Sequence, residues 1–167
     1  MVLGLTLPTF ALLHVLLSIV GILAGLVVVG GLMAGKRLDG WIGLFLVTTI
    51  LTNVTGFFFP FAKLLPSHIL GGLSLVILPI AIVALYGKHL AGGWRRVFVV
   101  ATVVALYFNV FVLIVQLFSK FPLLIATAPT QKEPPFLVSQ LLVLVLFVWL
   151  GRAALKGFRA ESATPRG

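Results

Sequence analysis

The feature that most limits this chain is a succession of five long apolar runs, Thr9–Ala34, Trp41–Phe59, Ser67–Tyr86, Val97–Phe118 and Phe136–Leu155, in which Arg152 is the one charged residue. A bilayer core about 30 Å thick is crossed by a helix of about 20 apolar residues, so each run has the length of a span. A transmembrane barrel would need strands of about ten residues with alternating character. These runs are continuous, so helices are expected. Composition agrees: 61% of the 167 residues are hydrophobic and 9% are charged. A soluble domain carries about 25% charged residues, and this chain has too few polar side chains to cover a surface in water. A soluble enzyme and a disordered segment are thereby excluded. The lack of cysteine also removes disulfides, thiolate nucleophiles and thiolate metal ligands.

The expected fold class is all-α: an integral membrane bundle of five transmembrane helices, with the N-terminus outside and the C-terminus cytoplasmic. Residues 1–158 would form one transmembrane domain and 159–167 a flexible cytoplasmic tail. Met1–Thr9 holds no Lys or Arg, and the first run continues to about Gly35. It therefore lacks the basic start and short apolar core of a signal peptide and reads as a retained span. Helix-end residues match the breaks. Gly35 can close the first helix, Asp39 can cap the second, and Ser67 can cap the third after Pro66.

Twelve Lys and Arg against three Asp and Glu give a net charge of +9. Nucleic-acid binding would need these gathered on one folded surface. Here they stand singly or in pairs between apolar runs, as juxtamembrane anchors do, so nucleic acid is not an expected partner. With the N-terminus outside, the inner side holds Lys36, Arg37, Lys88, Arg95, Arg96, Arg152, Lys156, Arg159 and Arg166, and the outer side holds Lys63, Lys120 and Lys132. That imbalance follows the positive-inside rule and requires an odd number of spans. Trp41, Trp94 and Trp149 fall near the expected inner interface.

Polar side chains inside apolar spans are costly, so their positions are informative. His14, Asn53, His68, Gln116 and Gln140 fall towards the outer ends of their spans, and Asn109 lies near mid-span. Helical spacing aligns His14, Ser18, Gly21 and Gly25 in the first span. It aligns Thr48, Thr52 and Thr55 beside Asn53 in the second, His68, Gly72, Pro79 and Tyr86 in the third, and Thr102, Asn109 and Gln116 in the fourth. Each such face is expected to point inward. Pro8, Pro60, Pro66, Pro122, Pro129, Pro134 and Pro135 also lie on the outer side, beside a long final loop from Lys120 to Pro135 and an aromatic turn of Phe57, Phe58, Phe59 and Phe61. Within that loop, residues 122–128 are apolar enough to dip into the interface.

The run Pro66-Ser-His-Ile-Leu-Gly-Gly72, with Ala128-Pro-Thr-Gln-Lys-Glu-Pro-Pro-Phe136, resembles segments of small uncharacterised bacterial polytopic membrane proteins. The resemblance extends over about the last two-thirds of the chain. It carries no known activity and transfers no functional residue; the expected location of the bundle is the inner (plasma) membrane.

Three functions fit these letters. The first is binding or passage of a small ligand or lipid through an outward-facing polar pocket lined by His14, Asn53, His68, Asn109, Gln116 and Gln140. The second is a non-catalytic accessory or assembly subunit, in which the same residues join helices. The third is a b-type haem electron-transfer subunit with His14 and His68 as ligands; no other cofactor and no metal site is expected. Membrane lipids are the expected partners, together with a homo-oligomer or a larger membrane complex. Gly21-Ile-Leu-Ala-Gly25 and Gly31-Leu-Met-Ala-Gly35 match the close-packing GxxxG pattern. Asp39, Glu133 and Glu161 all lie outside the runs, which argues against carboxylate-driven ion exchange. There is no HExxH, GxSxG, P-loop or dinucleotide fingerprint, so catalysis is disfavoured.

Overall fold

The computed structural model describes residues 2–60 and 66–160. Among them are six α-helices and no strand: α1 (Leu7–Met33), α2 (Asp39–Gly56), α3 (Pro66–Ile82), α4 (Trp94–Lys120), α5 (Pro122–Thr127) and α6 (Pro134–Ala160). A π-helical turn, Val83–Gly87, extends α3. Four of these segments are long and apolar enough to cross a membrane: α1, α3 with its π turn, α4 and α6. Their outward faces carry exposed Leu12, Leu16, Val76, Leu141, Leu142 and Val145 among many others. A soluble monomer does not expose a continuous apolar coat of this kind, and the chain is a multi-pass membrane protein. The second run forms a helix of 18 residues that includes Asp39, Asn53 and four threonines, and it is not one of those four.

Helix ends follow local chemistry. Pro8 sits in the first turn of α1, where its missing N–H costs nothing, and the Thr6 hydroxyl accepts the Thr9 amide. At the other end Gly35 takes φ 73°, its amide bonds to Leu32 O, and the Lys36 amide returns to Gly31 O. That is a Schellman closure, and it needs glycine at the left-handed position. Asp39, expected as a cap, instead lies inside the first turn of α2 behind Leu38 and pairs with the Arg37 guanidinium. Its charge still faces the positive end of the helix. Ser67 likewise lies within α3 rather than ahead of it.

The long final loop contains α5, which exposes Leu123 and packs Leu124 towards Phe118, Ala128 and Phe136. Before α6, the Glu133 carboxylate accepts from the Thr130 amide and hydroxyl and from the Lys132 amide. Burial works against the ionised carboxyl there, but these bonds outweigh it and hold the group below its usual range. The last helix continues to Ala160, so Arg159 belongs to it and not to a tail. The expected tail from 161 onward, Phe61 and Lys63 lie outside the described residues.

The long helices form a ring in the order α1, α2, α3, α4, α6, and α1 also touches α4 across the middle. Neighbours run antiparallel except α1 and α6, which are parallel. The apolar core fills the half of the ring nearer the basic turns: Val28 and Leu32 from α1, Ile42 and Phe45 from α2, Leu78 from α3, Phe98 and Leu106 from α4, and Phe158 from α6. The other half is built differently and holds the polar residues.

Glycines bring the backbones together in the apolar half. A Cβ on Gly25 would come within 2.6 Å of Leu106 Cδ1 and 2.9 Å of the Phe45 ring, and one on Gly21 within 3.1 Å of Thr48 Oγ1. The first GxxxG pair is therefore consumed inside the chain, against α2 and α4. Gly31 packs on Leu38 and Gly35 makes the turn, so the second pair is also used internally. The tightest approach is Gly157 of α6, whose missing Cβ would collide with the Met33 carbonyl of α1.

The α3 face differs from the expected stripe. His68 is buried, but its companions are Gly71, Ser74, Leu78 and Ala81, whereas Pro79 and Tyr86 are exposed. His68 lies at one edge of the buried arc, and the stripe through Gly72 runs along the wrong side of it. The π turn shifts the register again before Tyr86.

Gly157→Ala should force α1 and α6 apart and lower the stability of the detergent-solubilised protein by about 1–3 kcal/mol. Gly30→Ala, on the same face of neither contact and with nothing within 4 Å of the added Cβ, should be neutral or slightly stabilising. Thermal unfolding of the two variants beside the parent protein checks both outcomes.

Candidate functional site

Four helices contribute to a cavity of about 390 Å³ in the half of the ring away from the basic turns. It lies between the N-terminal part of α1, the C-terminal end of α2, the N-terminal part of α3 and the C-terminal half of α4. Five of the six residues expected to line a pocket do line it: His14 from α1, Asn53 from α2, His68 from α3, and Asn109 and Gln116 from α4. Gln140 does not. It is buried between α6 and α4, its Nε2 donating to Phe111 O at 3.3 Å and its Oε1 having no hydrogen-bond partner. The physical reason is the ring order: α6 faces α4 and α1 from the opposite side.

The polar groups are organised by α2. Thr49 sits fully buried at the boundary between core and cavity. Its carbonyl accepts Asn53 Nδ2 at 2.8 Å and its hydroxyl accepts Asn109 Nδ2 at 3.3 Å, which ties α2 to α4. Asn53 Oδ1 lies beside Gly71, where a Cβ would be 3.5 Å away. Gly71 thus lets α3 come close to the amide.

Towards the mouth, His14 Nδ1 lies 2.8 Å from Thr55 Oγ1. The Thr55 hydroxyl already donates to Leu51 O at 2.7 Å, so it accepts from His14. The proton of a neutral His14 is therefore on Nδ1, and Nε2 is left as an acceptor. The imidazole stands edge-on to Phe59, with centroids 5.1 Å apart, and Phe59 in turn meets Phe10. His68 lies against Phe57 across the cavity entrance, at 5.8 Å between centroids.

Two hydroxyls deeper in the cavity wall are left over. Thr48, Thr55 and Ser18 donate to carbonyls of their own helices. Thr52 and Ser74, which are 8% and 0% exposed and both line the cavity, have no partner for their hydroxyls. A buried hydroxyl without a partner costs about 1–3 kcal/mol. Sequence reading had not marked Ser74, which falls one turn beyond Gly71 on the buried arc of α3. Nor had it marked Lys120, which lines the mouth with Phe121.

The remaining walls are apolar, formed by Val15, Ile19, Leu70, Val112 and Leu113. Among the described residues, no Asp, Glu or Cys lines the cavity. His14 and His68 are its metal-ligating side chains, and no group of three or more His, Cys, Asp or Glu gathers anywhere among the described residues. What the arrangement offers is hydrogen bonding, from amides, hydroxyls and imidazoles, at intervals along an apolar slot.

Gln140 is held by one bond and leaves an orphaned oxygen, so Gln140→Leu should change stability by no more than about 0.5 kcal/mol, in line with the average worth of interhelical bonds in membranes. Thermal unfolding checks this; a large loss would mean that Gln140 carries an interaction the bond to Phe111 does not account for.

Against known proteins, no family model, curated protein or solved structure matches this chain.

Proposed function

We propose that this chain is a five-span membrane protein, N-terminus outside and C-terminus cytoplasmic, that binds a small amphipathic ligand in the α1–α4 cavity. One observation carries the reading: polar residues scarce in the sequence converge from four helices on a single hollow, with the Thr52 and Ser74 hydroxyls buried there unpartnered. Residues serving only to join helices would pair with one another and close the space between them. The volume lies within the range of small-molecule sites, about 300–1,000 Å³. The apolar walls suit hydrocarbon, and the spaced polar groups fix orientation.

The five-span reading takes α2 as a span as well. Its 18 residues rise about 27 Å, close to the thickness of a bilayer core. It would be a tolerable span because its threonines and Asn53 are satisfied or enclosed within the ring. The orientation rests on the basic residues of the α1–α2 turn, the α3–α4 turn and the end of α6, and it places the cavity mouth on the outer side.

Ala11 lines the mouth of the cavity without being buried. Ala11→Trp should plug it with little effect on folding. Native mass spectrometry of protein extracted in a mild detergent should show a co-purifying small amphiphile on the parent chain and its loss from the plugged variant, with unfolding temperatures matched. Equal occupancy in both, or none in either, would overturn the binding reading. A reporter fused after Arg159 should read as cytoplasmic; an external signal would overturn the orientation.

A further inference from the structure

Resting on that reading, we infer that the ligand's head is an oxyanion, a carboxylate or phosphate group carried on a hydrocarbon chain. The cavity mouth is lined by Lys120 from the end of α4, His14 from α1 and His68 from the first turn of α3. Among the described residues, no carboxylate lines the cavity to balance the Lys120 charge. Of the acidic residues described, Asp39 pairs with Arg37 at the opposite end of the ring, and Glu133 is occupied by Thr130 and Lys132. Lys120 makes no ion pair among the described residues. A cation at the rim of an apolar slot favours an anion there far more than it would in water.

The backbone adds to this. Ser67 and His68 lie in the first turn of α3 and both line the cavity, and that turn contains no acidic residue. The first amides of a helix have no intrahelical acceptor, and the helix dipole makes this end partly positive. Together these favour an anion at the start of α3. A helix start alone would carry little weight. Here it opens onto the same hollow whose wall holds the unpartnered Thr52 and Ser74 hydroxyls, each more than nine-tenths buried.

The apolar walls decide between a free anion and one attached to a chain. Below the mouth, Val15, Ile19, Leu70, Val112 and Leu113 leave a slot that inorganic phosphate would not fill. The chain of the amphiphile lies along these apolar walls. Ser74 stands seven residues beyond Ser67 on α3, so its unpartnered hydroxyl lies about 10 Å deeper than the head, where a polar group carried on the chain would meet it.

The test uses the full chain in nanodiscs of zwitterionic lipid, with dodecyl phosphate, dodecanol and inorganic phosphate as probes and occupancy read by native mass spectrometry. Dodecyl phosphate should bind at least about tenfold more tightly than dodecanol, as one charge-assisted hydrogen bond implies, and inorganic phosphate should not compete with it. Lys120→Gln should remove most of that preference, bringing dodecyl phosphate and dodecanol to within about twofold of each other. Lys132→Gln, an equal change of charge on an exposed residue off the cavity, should leave the preference intact. Equal binding of dodecanol and dodecyl phosphate would overturn the oxyanion inference and leave the amphiphile site standing. Competition by inorganic phosphate would overturn the requirement for a chain. A preference lost equally in both lysine variants would assign it to general surface charge and overturn the site. Binding of none of the probes would overturn this inference, while the presence or absence of a co-purifying amphiphile decides the underlying reading separately.

Discussion

Everything in this bundle depends on the inability of hydrocarbon to accept or donate a hydrogen bond. An amide or hydroxyl that faces acyl chains has no solvent to turn to, so it must find a partner within the protein or lie beside a space where one can arrive. The chain resolves this by segregation. One half of the ring is packed with phenylalanine, leucine and valine around close-set glycines. The other collects Asn53, Asn109, His14, His68, Thr52 and Ser74 around a hollow. Thr49 lies where the halves meet, and its two hydrogen bonds to asparagines mark the boundary.

The division has an electrostatic counterpart. Lys36, Arg37, Lys88, Arg95, Arg96, Arg152, Lys156 and Arg159 belong to the turns and helix end beside the packed half. Some are steadied by aromatic rings, as with Lys88 over Trp94 and Arg95 over Phe158. Such contacts hold the cationic groups near the ends of the spans while their aliphatic stems cover apolar surface. The hollow end carries fewer cations, but Lys120 is set directly on the cavity rim. On the proposed reading, a single charge there would have more influence on a ligand than several at the other end.

Most of the architecture was legible in the letters because a continuous apolar run has few alternatives to a helix of its own length. Each expected run is a helix, with ends displaced by up to five residues: α1, α3 and α6 begin at Leu7, Pro66 and Pro134, ahead of their runs, and α6 continues past Leu155 to Ala160. The convergence of His14, Asn53, His68, Asn109 and Gln116 was also legible, since each is scarce and each lies towards the same end. Gln140 shares their chemistry and depth, but depth says nothing of direction around a ring, and α6 presents it to α4 from outside the cavity. Ser74 was missed for a related reason. A serine in a helix ordinarily bonds its own backbone, and only the packing of α3 reveals that this one does not. The face of α3 itself was misplaced because the stripe was drawn from His68, at the edge of the buried arc, through Gly72 on its wrong side, and the π turn shifts the register again before Tyr86.

The contact of Gly157 with the Met33 carbonyl has a mechanical consequence. Main chain rests directly on main chain there, with no side chain in between that could change rotamer and yield. That end of the ring would serve as a fulcrum if the bundle opened. Widening of the opposite end would then take the form of helices fanning outward from it, a small angular change near Gly157 being magnified along the roughly 40 Å of a 27-residue helix. On the proposed reading, leverage of this kind would widen the far rim for a guest while the apolar half stayed sealed.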